Sequence, residues 1–263
     1  MISGDASAVL FLSSAPILPD SPSSLQAYLR RFPSGETIAA SRSANGSYAN
    51  DDLFSLQVDR TGRRVAFLSE STNLGTPLDA WRDFFIVDTL TGTIEIANTN
   101  ANDEPANATI GSIAMSADGR FATFRSPATN LASPSSPSSV IYRKDLLTGE
   151  VITVSIGAIG TPNGGSVAGS AVSSDGGVVA FGSEASDLVP ADFNDEVDVF
   201  ARPMPASRAG DINGDAMIGA EDLAELLAAW GSSDYWADLA RDGAVGPSDL
   251  ALLLGSWTPA ADR

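Results

Sequence analysis

The sequence predicts a mainly β protein, a partial β-propeller of four-stranded antiparallel blades, with a small all-α domain behind it made of a duplicated loop and helix. Three observations carry this. Apolar and turn residues recur about every 57 positions through the first two hundred residues, a shorter period of 27 governs the C-terminal end, and 43% of the 263 residues are hydrophobic. That is enough to bury a core in one or two domains.

The long period is read from side chains that keep step. Phe11, Phe67, Phe124 and Phe181 are spaced by 56, 57 and 57 residues, and Leu18, Leu74, Leu131 and Leu188 repeat the same three intervals. Gly35, Gly92 and Gly149 recur at 57, as do Tyr28, Phe85 and Tyr142. A turn pair, Thr61-Gly62, Asp118-Gly119 or Asp175-Gly176, precedes each of the three later phenylalanines, and its glycine supplies the positive φ of a tight hairpin. Strands are expected next, at 65–68, 121–124 and 178–181. They are apolar at successive residues and should be covered on both faces. A third strand is expected around 84–87, 140–142 and 197–200. Thr91-Gly92 and Thr148-Gly149 then turn it into a fourth, 93–97 and 150–155, rich in β-branched residues. Four antiparallel strands in a unit of roughly 40–60 residues is the pattern of propeller blades.

The segments Ala114-Met115-Ser116-Ala117-Asp118-Gly119-Arg120-Phe121-Ala122-Thr123-Phe124 and Ala171-Val172-Ser173-Ser174-Asp175-Gly176-Gly177-Val178-Val179-Ala180-Phe181 resemble the repeat signature of TolB-like (WD40-like) β-propellers. The resemblance covers residues 1–203, implies the fold and leaves the ligand open, since propellers host enzymes, binding platforms and scaffolds alike. Aligning Gly4 to Phe11 with Arg60 to Phe67 starts the chain just before the second strand of a blade, and no fourth strand follows Phe200. About three and a half blades is fewer than the 4 to 8 of closed propellers. The expectation is an N-terminally truncated chain whose missing part held further blades and an export signal; the alternative is a four-bladed ring closed by pairing its ends.

Composition narrows the chemistry. Against 33 acidic side chains stand 14 Arg and one Lys, Lys144, for a net charge of −18. Such a surface repels phosphate backbones and anionic lipid, so nucleic acid is not an expected partner. Without Cys or His the chain has no Ser-His-Asp or Cys-His nucleophile, no H-E-x-x-H zinc site and no thiolate metal site. No stretch is apolar for long enough to span a bilayer. The apolar run 8–12 lacks the basic residues of a signal peptide, and Asp5 stands where they belong.

Residues 204–210 form a Pro/Ala/Ser linker, and acid is concentrated beyond it: residues 211–263 carry ten acidic and two basic side chains. Here Asp211 pairs with Asp238, Asp215 with Asp242, Asp222 with Asp249, Leu223 with Leu250 and Trp230 with Trp257, all at 27 residues. The stripes Leu223, Leu226, Leu227, Trp230 and Leu250, Leu253, Leu254, Trp257 have helical i, i+3, i+4, i+7 spacing and are expected to face each other as the core. In front of each helix lies a loop of oxygen ligands. In the first, Asp211, Asn213, Asp215 and Asp222 occupy positions 1, 3, 5 and 12, and the Met217 carbonyl stands at position 7. Ca2+ takes 6 to 8 hard oxygens, and alternate residues of a tight loop turn carboxylates inward around such an ion. Position 12 also falls at a helix start, where negative charge is favoured.

This duplicated loop–helix resembles a type I dockerin module over residues 211–258. The resemblance implies Ca2+ in the loops and a cohesin-like partner. It departs from the family pattern at position 6 of the first loop, where Ala216 replaces glycine at a cost of roughly 1 kcal/mol. In the second loop Asp238, Asp242, the Ala244 carbonyl and Asp249 remain, while Ala240 replaces the ligand at position 3. The first loop is therefore expected to bind more tightly. The partner-reading positions correspond to Ala220, Glu221, Leu227 and Ala228 in the first half and Pro247, Ser248, Leu254 and Gly255 in the second. None matches the Ser/Thr and Lys/Arg pairs of the best-known cellulosomal types, so a cell-surface component or a polysaccharide stands beside a cohesin as partner.

The function expected is a secreted or cell-surface, non-catalytic binding or scaffold protein with a calcium-dependent docking module. Its rival is a carbohydrate-active hydrolase, or an accessory subunit of a polysaccharide-degrading complex, tethered through the same module. The rival needs two carboxylates about 5 to 10 Å apart beside aromatic platforms. The acidic loop Asp187, Asp192, Asp195, Glu196, Asp198 is read as solvated, the 132–139 Ser/Pro run as a connecting loop, and Trp81 as a blade cap.

Overall fold

The computed structural model describes residues 1–75, 81–136, 138–157, 160–190, 192–194 and 196–257. Pro137 of the Ser/Pro run, Asp195 of the acidic loop and residue 258, the expected end of the second module, lie outside the described residues. The chain divides into two compact units, Met1–Met204 and Pro205–Arg263.

Unit one holds four antiparallel sheets, each built from consecutive strands. The first contains β1 (Ala8–Ser13), β2 (Gln26–Arg31) and β3 (Thr37–Ala39); the second β4 (Leu53–Val58), β5 (Arg64–Ser69), β6 (Asp83–Asp88) and β7 (Ile94–Ile96). The third contains β8 (Ser112–Met115), β9 (Phe121–Ser126), β10 (Val140–Asp145) and β11 (Val151–Thr153); the fourth β12 (Ser166–Val172), β13 (Val178–Ser183) and β14 (Asp198–Pro203). The recurring aromatics pair across strands: Phe11 with Tyr28, Phe67 with Phe85, Phe124 with Tyr142 and Phe181 with Phe200. Their ring centroids are 5.7 to 5.8 Å apart in every sheet, so one packing solution is used four times.

The core lies between neighbouring sheets. Val65, Phe67, Phe85 and Val87 pack with Ala8, Leu10, Ala27 and Leu29 of the first sheet, while Ala66, Leu68, Phe84 and Ile86 of the same strands pack with Phe124, Val140 and Tyr142 of the third. β5 and β6 are buried at every residue, as expected for strands covered on both faces. For β13 that expectation is wrong: Val179 and Phe181 pack against Ile141 and Val154, but Val178 is 43% exposed. The fourth sheet has a neighbour on one face only. β14 pairs with β13 and with no strand of the first sheet, so the described residues do not form a ring closed by pairing its ends.

The turns explain the glycine spacing. Ser3, Ser116 and Ser173 each donate a hydroxyl hydrogen to the aspartate two residues on, at 2.8, 2.5 and 2.7 Å. The glycine that follows the aspartate in the later turns has φ +72°. At Gly176 a second constraint acts, because a Cβ there would sit 1.9 Å from the Phe121 ring of the preceding sheet. In the first sheet, which has no preceding neighbour, Ala6 fills this position at φ +60°. Buried ion pairs, Arg63–Asp88 at 3.0 Å and Arg120–Asp145 at 2.9 Å, lock the turn ends of the two inner sheets. In the outer sheets Ser7 and Gly177 replace the arginines, and Arg31 and Pro203 the aspartates.

Unit two carries α1 (Ala220–Ala228) and α2 (Pro247–Gly255). Its core differs from the expected pair of facing stripes. Leu226 and Leu253 are fully buried, but Leu227, Leu254 and Trp230 are 52%, 53% and 45% exposed. Ile212, Ile218 and Val245 take the interior instead. These loop residues stand at positions 2 and 8 of the loops, where helical periodicity cannot see them, and they narrow the buried face of each helix.

Candidate metal centre

Each loop is folded over its position-12 carboxylate. Asp222, the third residue of α1, accepts N–H bonds from Ile212 (2.8 Å), Asn213 (3.3 Å) and Gly219 (2.8 Å). In the second half Asp249 accepts from Ala240 (2.8 Å) and Gly246 (2.6 Å). The carboxylate thus closes the loop and satisfies an N–H at the helix entrance, where the helix dipole favours it. Both side chains are essentially inaccessible, 1% and 0% exposed, and neither makes an ion pair. Isolated carboxylates in such places are costly, and backbone donors offset only part of the cost.

The two loops then diverge. In the second, one carboxylate oxygen from each of Asp238, Asp242 and Asp249 lies within 4.8 Å of the others, two of the residues buried and Asp242 exposed. Asp238 accepts from the Asp242 and Gly243 N–H groups at 3.1 and 3.0 Å, and Asp242 accepts from the Ala244 N–H and the Ser248 hydroxyl. In the first loop Asp211, Asp215 and Asp222 form no such trio. There Asp215 is drawn into its own turn, accepting from the Met217 N–H at 2.8 Å and from the Asn213 side-chain amide at 3.2 Å. The gathered group is therefore in the loop that lacks a position-3 ligand, the reverse of the order expected from ligand count.

The donor chemistry fits a hard divalent cation. Asp238, Asp242, Asp249 and the Ala244 carbonyl supply oxygen alone, and each carboxylate oxygen that accepts one N–H keeps a further lone pair. Asp211, Asn213, Asp215, Asp222 and the Met217 carbonyl offer the same donor types in the first loop. Left-handed backbone shapes both loops: Gly214 and Ala216 have φ +82° and +66°, Arg241 and Gly243 +57° and +98°.

All eight partner-reading positions are exposed: Ala220, Glu221, Leu227 and Ala228 on α1, Pro247, Ser248, Leu254 and Gly255 on α2. Leu227 and Leu254, half exposed, are apolar where a docking surface needs them.

Unit one contains a cavity of about 490 Å3 between its second and third sheets, lined by Glu95, Asp103, Lys144 and Leu146 among others, with no aromatic residue in its wall. Sequence reading singled out Lys144 only as the one lysine. It is buried, its ammonium donates to the Thr99 hydroxyl and, at 3.1 Å, to the Thr99 carbonyl, and burial pushes its pKa down. Of the acidic loop, Asp187 accepts from the Asn163 N–H, and Asp192, Glu196 and Asp198 join no trio of ligand groups among the described residues.

No family model matches the chain, and no curated protein matches it. Among solved structures, unit one is similar to TolB-like β-propeller proteins. TolB from Acinetobacter baumannii is 14% identical at TM-score 0.45, over 76% of this chain and 40% of that one. A putative TolB from Agrobacterium tumefaciens is 16% identical at TM-score 0.45, over 77% and 60%. An oligogalacturonate lyase in complex with manganese is 16% identical at TM-score 0.43, over 80% and 52%. The chain thus spans well under two thirds of the length of these structures. The blade reading rests on the sheets themselves, their order, register and repeated aromatic pairs.

Proposed function

We propose that the chain is a secreted or cell-surface binding protein without catalytic activity, whose acidic tail is a calcium-dependent, dockerin-like docking module. The observation that carries the proposal is the convergence of Asp238, Asp242 and Asp249 within 4.8 Å, two of them buried. Three like charges at that separation repel one another, and a bound Ca2+ supplies the positive charge that relieves it. Asp238, Asp242, Asp249 and the Ala244 carbonyl would hold it, with Asp211, Asn213, Asp215, Asp222 and the Met217 carbonyl as a second, weaker set. A site short of one side-chain ligand suits the high calcium outside cells, where modules bind at roughly 10−4 to 10−3 M. The exposed apolar positions Leu227 and Leu254 support docking to a protein module such as a cohesin. A carbohydrate-active reading has no comparable support, since the cavity of unit one lacks aromatic platforms.

The test is calorimetric titration of the full chain with CaCl2, with thermal unfolding followed by circular dichroism in calcium and in chelator. Binding heat and an upward shift of the tail transition in calcium are expected, because an ion that binds only the folded loop stabilises it by mass action. Absence of heat together with superimposable melts would remove the calcium module from the proposal.

A further inference from the structure

The fourth sheet is the one sheet whose trailing face has no neighbour. Val178, Ala180, Val199 and Ala201 point away from the third sheet, and Val199 is 82% exposed. Val178 stands opposite Pro203, and Ala180 between Ala171 and Ala201. The face is made of small apolar side chains and carries no charge. In each of the other sheets the equivalent face is covered by the leading aromatic pair of the next sheet.

A β element of this chain's own kind has three ways to approach, and two are blocked. The first is pairing with the edge of β14. In the other sheets the third strand donates an N–H to the fourth, Arg31 to Glu36, Asp88 to Thr93 and Asp145 to Glu150, at 2.9 to 3.0 Å. The equivalent residue of β14 is Pro203, which has no N–H, a device that ends a sheet edge. The second is head-to-tail stacking, the first sheet of one copy against the fourth of another. Stacking inside the chain leaves no room for a side chain at the turn glycine, since a Cβ would come within 2.6 Å of Ala8 at Gly62 and 1.9 Å of Phe121 at Gly176. The first sheet has Ala6 there, and its methyl group would meet Val178 of the other copy. Open-ended filaments by this route are barred.

We infer that the remaining approach is used: the open face of the fourth sheet packs on the same face of a second copy, giving a two-fold dimer. Small apolar side chains let two sheets come together at about 10 Å without matched pockets, and two-fold symmetry closes the interface. The sheet-on-sheet stack already present three times in the chain is continued by one step. The face is small, so the dissociation constant is on the order of micromolar.

Sedimentation velocity and light scattering on the full chain up to about 100 µM test this. The wild-type chain is expected at twice its monomer mass, and Val199→Asp, which alters an exposed side chain, is expected to raise the dissociation constant at least about 30-fold. Because the chain has no cysteine, Val199→Cys gives a second reading independent of Val199→Asp. It is expected to cross-link into dimers under mild oxidant, whereas Ser34→Cys on the first sheet's turn is not. A monomeric wild type would overturn the inference. So would a concentration-dependent ladder beyond the dimer, which means head-to-tail stacking, or a dimer lost in Leu254→Glu but kept in Val199→Asp, which means contact through the helices.

Discussion

The sheet array and the acidic tail are both made by copying a short unit, and their copies are held by opposite means. In the array the copied element is an apolar cross-strand pair, and neighbouring copies meet through side chains that exclude water. In the tail it is a carboxylate that gathers backbone N–H groups, and each copy organises its own loop around it. The array therefore tolerates change where a neighbour is missing, as at Ala6, whereas the tail tolerates change wherever the backbone can still reach the carboxylate. Phe124→Ala tests the first half of this contrast. Phe124 is fully buried, stacked 5.7 Å from Tyr142 and edge-on to Phe84 at 6.1 Å. Its truncation is expected to cost about 3–5 kcal/mol. In differential scanning calorimetry the array transition should fall while the tail transition stays in place. A common shift of both would mean that the two units unfold as one.

The same contrast explains what could be read from the sequence. Phe11, Phe67, Phe124 and Phe181 were legible as a repeat because each must meet an aromatic partner at one register, which keeps their spacing strict. The first strands, β4, β8 and β12, carried no such marker; β4 holds Ser55 at φ +43° and shifts register there, so it shows no clean alternation. Equally hidden was the repeated clamp in which Asn107 bonds the Thr129 hydroxyl and N–H while Asn50 does the same with Thr72. In the tail, ligand types and spacing were legible at 27 residues. Which loop gathers its carboxylates was not, because that depends on where Asp215 and Asp242 turn. Nor was the exposure of Leu227, Leu254 and Trp230, since helical periodicity marks an apolar stripe without saying what else competes for the core.

Asp249 and Asp242 separate the clamp from the metal site. Asp249→Ala leaves the Ala240 and Gly246 N–H groups without their acceptor, and is expected to lower tail stability by about 2–3 kcal/mol even in chelator. Asp242→Ala removes an exposed charge beside two others, so in chelator it should cost less than about 1 kcal/mol. In calcium the order changes: both variants should lose the calcium-induced rise of the tail melting temperature. Chemical denaturation of each variant in calcium and in chelator makes the comparison. If Asp242→Ala keeps a full calcium shift, the second loop is a hydrogen-bonded clamp and nothing more.

The finest difference lies in the left-handed residues. Each loop has two, one glycine and one not, and the loops exchange them: Gly214 then Ala216 in the first, Arg241 then Gly243 in the second. A non-glycine residue in this region costs roughly 1–2 kcal/mol. Replacing it by glycine recovers that but returns about 0.4–1 kcal/mol of freedom to the unfolded chain. Ala216 is exposed, so Ala216→Gly should stabilise the tail by only some tenths of a kcal/mol, a balance of those two effects. Arg241→Gly should go the other way. The Arg241 guanidinium lies 4.0 Å from the Tyr235 ring centroid and donates to the Tyr235 carbonyl, contacts that glycine cannot make. The cation–π part alone is about 0.5–1 kcal/mol at a partly exposed site. Opposite signs for these two substitutions in urea denaturation would show that the second loop uses its strained position to hold Tyr235, while the first loop merely tolerates its own. Equal gains would show that the Tyr235 contact adds nothing.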